Sequence, residues 1–154
     1  MKRTGTLFDP FDEYYFLMND IALSEYDAAH TKWGEKWRLP NIEHFQELLD
    51  NCVIEKVRLY VEHNGEEAEV PGYTITGKNN NKIFLRSNGY FQFHRQFTGY
   101  VYYGTRACYW SSTHCESDTN TAGYYFELWD NQLPPGYISS IGVMDRKYGL
   151  PIRP

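Results

Sequence analysis

PNIEHFQELLDNCVIEKVRLYVE, residues 40–62, changes its hydrophobic period partway along, and that change decides the fold class. Pro40 and Asn41 read as a helix start with Asn41 as N-cap, and Ile42, Phe45, Leu49 and Cys52 then fall on one helical stripe. Glu43, Glu47 and Asp50 lie off that stripe. Paired carboxylates on a helix can serve acid/base chemistry, but close to the positive end of the dipole they read as a solvated face. After the helix the period falls to two: Val57, Leu59 and Val61 alternate with Lys56, Arg58, Tyr60 and Glu62. That is the pattern of a strand with one face buried and one in water. A helix followed by a half-buried strand predicts an α+β domain.

Toward the amino terminus, Ala22, Tyr26, Ala29 and Trp33 recur at helical spacing, which predicts a helix over 19–33 stopped by Gly34. Residues 1–19 read as an extended lead-in that could supply an edge strand, ahead of a domain over 20–154. Toward the carboxy terminus, Asn64–Glu67 is an acidic turn, Tyr73–Thr76 a strand, Gly77–Asn81 a turn and Lys82–Arg86 the returning strand. Gly77–Lys78 is not a phosphate loop, because the spaced glycines of that motif are absent. Tyr124, Phe126 and Leu128 alternate with Tyr125, Glu127 and Trp129, so one set is expected in the core and the other displayed. Residues 130–136, with two prolines, read as a loop; Ile141 and Val143 suggest a last strand before a turn at Asp145–Lys147.

Composition limits the function classes. A chain of 154 residues fits one domain and can bury a sizeable core. Fifteen basic against 20 acidic side chains give a net charge of -5 without a Lys/Arg cluster, so nucleic acid is a poor partner. No apolar run approaches the roughly 20 residues that span a bilayer, and Met1–Pro10 lacks an apolar signal-peptide core. Aromatic residues are 18% of the chain, including 14 Tyr, a composition common on recognition surfaces and in half-buried sheets alike. Cys52, Cys108 and Cys115 allow one bridge at most, with Cys108 and Cys115 the pair that could close a small ring, and free, partly buried thiols are expected. Five scattered histidines lack the spacing of a zinc site, so neither metal nor cofactor is expected. Ser111, Ser112, His114 and Asp118 hold the residue types of a hydrolytic triad without its arrangement, and no G-x-S-x-G elbow occurs. Asp118, Asp130, Asn131 and Asp145 do not form the alternating acidic loop of a dedicated calcium site.

Several motifs stand in a distinctive order. Trp33–Gly34 precedes Trp37, Arg38, Leu39, Pro40 and Asn41, then Phe45 with Leu48 and Leu49. Ile83–Leu85 precedes Asn88, Gly89 and Tyr90, then comes Tyr109–Thr113 (YWSST), and Gly149–Pro154 closes the chain. This order over residues 20–154 resembles the bacterial family called the Fibrobacter succinogenes major paralogous domain, a relative of the DUF1566 proteins. The resemblance implies a C-type lectin-like fold: two helices, a mixed sheet, long irregular loops and paired terminal strands. It also implies an exported or surface-displayed binder, since related variable proteins of diversity-generating retroelements contact ligand through the segment after a YWSS-like run. Here that segment is 116–148. Another branch of the fold resembles formylglycine-generating enzymes, which hold copper with two cysteines, and only Cys108 and Cys115 are candidates for that role. Calcium-dependent sugar binding is not carried over, because Trp129, Asp130 and Asn131 invert the order of the Trp-Asn-Asp motif and Glu-Pro-Asn is absent.

The expected function is therefore a non-catalytic binding domain that recognises a protein or glycan through Tyr125, Glu127, Trp129, Asn131, Tyr137, Asp145 and Arg146. Exposed aromatics would give binding energy and the neighbouring polar groups direction. Trp37, Arg38 and Trp110 are expected to be core and loop scaffolding, and Tyr109–Thr113 a scaffold and family marker. The alternatives from other classes are a copper-dependent oxidase using Cys108 and Cys115, and a structural subunit of a bacterial surface fibre or phage particle.

Overall fold

In a computed structural model, residues 20–115, 121–132 and 135–154 are described. They form a small α+β domain of two helices and eight strands, in which every strand pairing is antiparallel. The lead-in expected over 1–19 lies outside the described residues.

The first helix, α1 (Ala28–Trp33), is six residues long, not the longer helix expected over 19–33. Asp27 is the reason. Its buried carboxylate accepts from the backbone N–H of Ala29 (2.9 Å) and His30 (3.2 Å), which fixes the helix start, and from Leu23 and Leu39 (3.0 Å each). Those bonds hold the preceding residues in turns, with Leu23 at a φ of 63°. Gly34 ends α1 as expected, but Trp33 is exposed and does not join an apolar face.

The second helix, α2 (Ile42–Asn51), follows the expected boundaries. Asn41 and His44 satisfy each other's backbone N–H groups in a capping box, at 2.9 and 3.2 Å. Phe45 buries against Phe126, ring on ring at 4.6 Å, and Leu48, Leu49 and Cys52 pack beside it.

Cys52 turns the chain directly into β1 (Val53–His63), which pairs with β2 (Glu66–Thr76) across the two-residue turn Asn64–Gly65. Both turn residues have positive φ, 53° and 81°, the type I′ geometry that Asn-Gly adopts readily. The strand β3 (Lys82–Arg86) pairs only with Gly72–Thr76 of β2. Beyond that point β1 and β2 form a ribbon, and the row expected to be buried is open: Leu59 and Val61 are 40% and 42% exposed. The one buried residue of β1, Ile54, stands opposite buried Ile75 on the row of Lys56, Arg58 and Tyr60, so the side that meets the core is the row expected in water, and no described layer covers the apolar one.

A second hairpin, β4 (Tyr90–His94) with β5 (Phe97–Val101), leads to the sheet β6 (Arg106–His114), β7 (Ala122–Gln132) and β8 (Pro135–Asp145), joined in that order. The loop expected over 130–136 is instead the end of a hairpin whose ladder runs to Gln132 opposite Pro135. Pro135 is tolerated because it is the first residue of its strand.

Both faces of this last sheet are covered. On one, Ala107, Tyr109, Phe126 and Leu128 join Phe45, Tyr73, Ile75 and Leu85. On the other, Cys108 and Trp110 join Ile21, Ala29, Leu39 and Leu150, with Tyr125 packed alongside. The YWSST run is the centre of this arrangement. Trp110 N–H donates to Pro151, Ser112 N–H to Pro40 and Ile21 N–H to Ser112, while Thr113 Oγ1 accepts from Ile42 N–H. One strand thus ties together the first described residues, the start of α2 and the closing segment.

Candidate functional site

Strand register assembles a polar and aromatic cluster on the second face of the β6–β8 sheet. Arg106, Cys108 and Trp110 point the same way along β6, and their direct partners on β7 are Trp129, Glu127 and Tyr125. Arg106 reaches across to Glu127, with Nη1 2.8 Å from Oε1. Its guanidinium carbon also lies 4.8 Å from the centre of the Trp129 ring and 3.7 Å from that of Tyr102. A planar cation within such distances of two aromatic faces is held by their quadrupoles.

Tyr102 is placed by backbone geometry. It has a φ of 58°, unusual for a residue with a Cβ, and its carbonyl accepts from Thr105 N–H, Thr105 Oγ1 and Arg106 N–H. Tyr90 meets Tyr102 edge-on with centres 5.9 Å apart, and Tyr148 meets Tyr90 at 5.4 Å. Gly89 permits this approach, since a Cβ there would stand 1.9 Å from the Val101 carbonyl oxygen.

The Cys108 thiol is buried, with Sγ 3.8 Å from Glu127 Oε1. Burial first, and the Glu127 charge second, push its pKa up to about 12. The same two causes raise the Tyr125 phenol to about 12. Both groups are therefore protonated at neutral pH, and neither is an activated nucleophile. Cys108 lies within β6 and Cys115 just past its end, which separates them by roughly 20 Å of extended chain. A disulfide needs Cα atoms within about 7 Å, so the small ring does not form; all three cysteines are free thiols. Among the described residues no group of three or more His, Cys, Asp or Glu side chains is placed to hold a metal ion.

Next to Arg106 the surface is aromatic. Phe93, Phe97, Tyr100, Tyr102 and Tyr103 are all at least 45% exposed, within eleven residues of chain. Phe91 and Tyr100 meet edge-on at 5.3 Å, and the Arg86 guanidinium both stacks on Tyr103 and hydrogen-bonds its hydroxyl. Arg86, Asn88, Tyr90, Phe91, Tyr100 and Tyr103 open onto a cleft of about 800 Å³ that Gly149, Leu150 and Pro151 also line.

Of the seven residues expected to form a binding surface, the five whose side chains are described do not come together on one displayed face. Tyr125, Glu127 and Trp129 share a face, but it is not a displayed one: Glu127 is buried on Arg106 and Tyr125 packs on the core, leaving Trp129 half-buried. Asp145 and Arg146 stand at the opposite end of the sheet, where Asp145 pairs with Ala122 in register and with Lys147 at 2.8 Å. Arg146 is buried, so it is not a surface contact. Asn131 and Tyr137 fall on β7 and β8 near their shared turn, and their side chains lie outside the described residues. Trp110 is buried as expected of scaffolding, whereas Trp37 and Arg38 are exposed. The residues that sequence reasoning passed over are Arg106, Tyr102 and Tyr90. A signal existed in the alternation of Arg106 with Cys108 and Trp110, but only the register reveals Trp129 and Glu127 as their partners.

The fold and site define a small α+β domain with an arginine set among tyrosines beside an exposed aromatic hairpin. No family model, curated protein or solved structure matches the chain.

Proposed function

We infer that the chain is a non-catalytic binding domain, of C-type lectin-like architecture and similar to the Fibrobacter succinogenes major paralogous domain, that recognises a protein or glycan outside the cell. The observation that carries this reading is the Arg106 guanidinium held against Tyr102 and Trp129 by Glu127, beside four further exposed aromatic rings. Flat rings supply contact area at low entropic cost, and a fixed cation supplies direction. The two helices, the antiparallel sheets and the closing segment bound into the core suit that architecture. The contact surface moves accordingly, from 116–148 to β4, β5 and the turn before β6, with Trp129 as the one residue common to both.

A glycan and protein array tests the reading. A ligand captured by the wild type should lose at least about tenfold in affinity on Tyr102→Ala or Trp129→Ala, the effect of truncating a buried aromatic anchor. Capture of nothing, or unchanged capture by both variants, overturns it.

A further inference from the structure

The β1–β2 ribbon is left unsupported in two ways. Among the described strands none pairs with the outer edge of β1, and the β3 ladder ends at Gly72, with Ser87 N–H donating to the Pro71 carbonyl just beyond it, so Glu66–Val70 of β2 has β1 as its one described strand partner. A lone two-stranded ribbon is marginal in water, and an open edge is a template for another strand. Its apolar row is Leu59 and Val61 opposite Val70 and Ala68, and Tyr60 on the other face is 68% exposed.

The turn fixes which groups the edge presents. In a two-residue hairpin the flanking residues, here His63 and Glu66, form a hydrogen-bonded pair. Val61, Leu59 and Val57 then bond to β2 in alternation, and Glu62, Tyr60 and Arg58 turn their N–H and C=O groups to the open side. The charges along that edge are self-complementary. When β1 is set antiparallel to a copy of itself about Tyr60, Arg58 faces Glu62 twice, Leu59 faces Val61 twice, and Tyr60 faces Tyr60. The hydrogen-bonding phase agrees, because Arg58, Tyr60 and Glu62 are all outward.

The ribbon alone leaves a fault that this pairing corrects. Glu62 sits directly opposite Glu67, a like-charge pair that destabilises a sheet. Arg58 is committed on one side to Glu69 at 2.6 Å, yet its planar fork has donors left for a second carboxylate. A second copy would deliver that Arg58 to Glu62.

We propose that the chain forms a two-fold dimer in which the β1 edges of two copies pair antiparallel about Tyr60, joining the two ribbons into a four-stranded sheet. Light scattering behind size exclusion should give twice the 18.2 kDa of the chain at micromolar concentration. Arg58→Glu and Glu62→Arg, taken singly, place like charges opposite each other twice and weaken the dimer by about tenfold or more. The double variant restores it. Tyr60→Pro removes an edge donor without touching a β1–β2 hydrogen bond, so it should give a folded monomer with unchanged circular dichroism. A chain that stays at 18.2 kDa up to about 200 µM overturns the dimer, since association follows mass action. A dimer indifferent to Tyr60→Pro, or a double variant no better than the singles, overturns the β1 edge as its seat.

Discussion

Glu127 is the group that Arg106 is fastened to: the two meet at 2.8 Å, with the Glu127 side chain 8% exposed and that of Arg106 26%. The pair is covered by Tyr102 and Trp129, so its attraction is little screened by water. Burial works against the Arg106 charge, yet the hydrogen bond and charge of Glu127 prevail and raise its pKa.

Glu127→Ala should therefore destabilise the domain by about 1–3 kcal/mol, less than a fully buried pair because Arg106 retains some contact with water. Glu127→Gln keeps an acceptor and should cost less. Urea unfolding of the three proteins checks both, and a cost below about 0.5 kcal/mol for Glu127→Ala would put the pair among ordinary surface contacts.

The pKa shifts of Cys108 and Tyr125 make an alkaline prediction. In the unfolded chain Cys108 would lose its proton near 9.0, while in the fold it keeps it to about 12. Between those values the unfolded state binds fewer protons, so stability falls as pH rises; below 9 the contribution is fully present. Tyr125, raised from 10.0 to about 12, acts in the same direction. Unfolding free energies measured from pH 8 upward should drop steeply, and Cys108→Ser with Tyr125→Phe should flatten the slope. An unchanged slope in the double variant would assign the alkaline loss to other groups.

How much of this could be read from the sequence depended on whether a residue's partner was local. Asn41 and Phe45 were legible because a capping box and a helical stripe span a few residues. Gly65 was legible as a turn residue, but the first half of β2 was not: the turn was expected over Asn64–Glu67 and the strand only from Tyr73, whereas the strand starts at Glu66. The helix start at Asp27 was not legible, because its carboxylate also takes the N–H of Leu39, twelve residues away, and that long-range bond outweighed the periodicity from Ala22 to Trp33. Glu127 and Trp129 were assigned the correct side of their strand and the wrong environment, since alternation says which residues share a face and not what covers it. Leu59 shows the same limit in reverse: its apolar row alternates as a buried face does, and no described layer lies on it.

The exposed hairpin rings should be dispensable for folding. Phe93 and Tyr100 are 72% and 66% exposed, and surface substitutions of this kind change stability by about 0.5 kcal/mol or less. Phe93→Ser with Tyr100→Ser should leave the urea midpoint in place while reducing ligand capture and dye binding to exposed apolar surface. A large loss of stability would mean that these rings are part of the core and not of the binding face.

Asp27 should be among the most sensitive positions in the chain. Its side chain is fully buried and accepts from four backbone N–H groups, those of Leu23, Ala29, His30 and Leu39. Asp27→Ala leaves all four donors without that acceptor, and those of Ala29 and Leu39 lie in buried hydrogen bonds, where each unmet group costs about 1–3 kcal/mol. Some will find water as α1 frays, so the expected loss is about 3–5 kcal/mol rather than the full sum. Asp27→Asn retains one acceptor oxygen and places an amide donor where another oxygen accepted, which should cost about half as much. Thermal and urea unfolding of both variants, with hydrogen exchange at the Leu39 amide, separates a frayed α1 from a general loss of the fold. A cost under about 1 kcal/mol for Asp27→Ala would show that this carboxylate caps α1 and does no more.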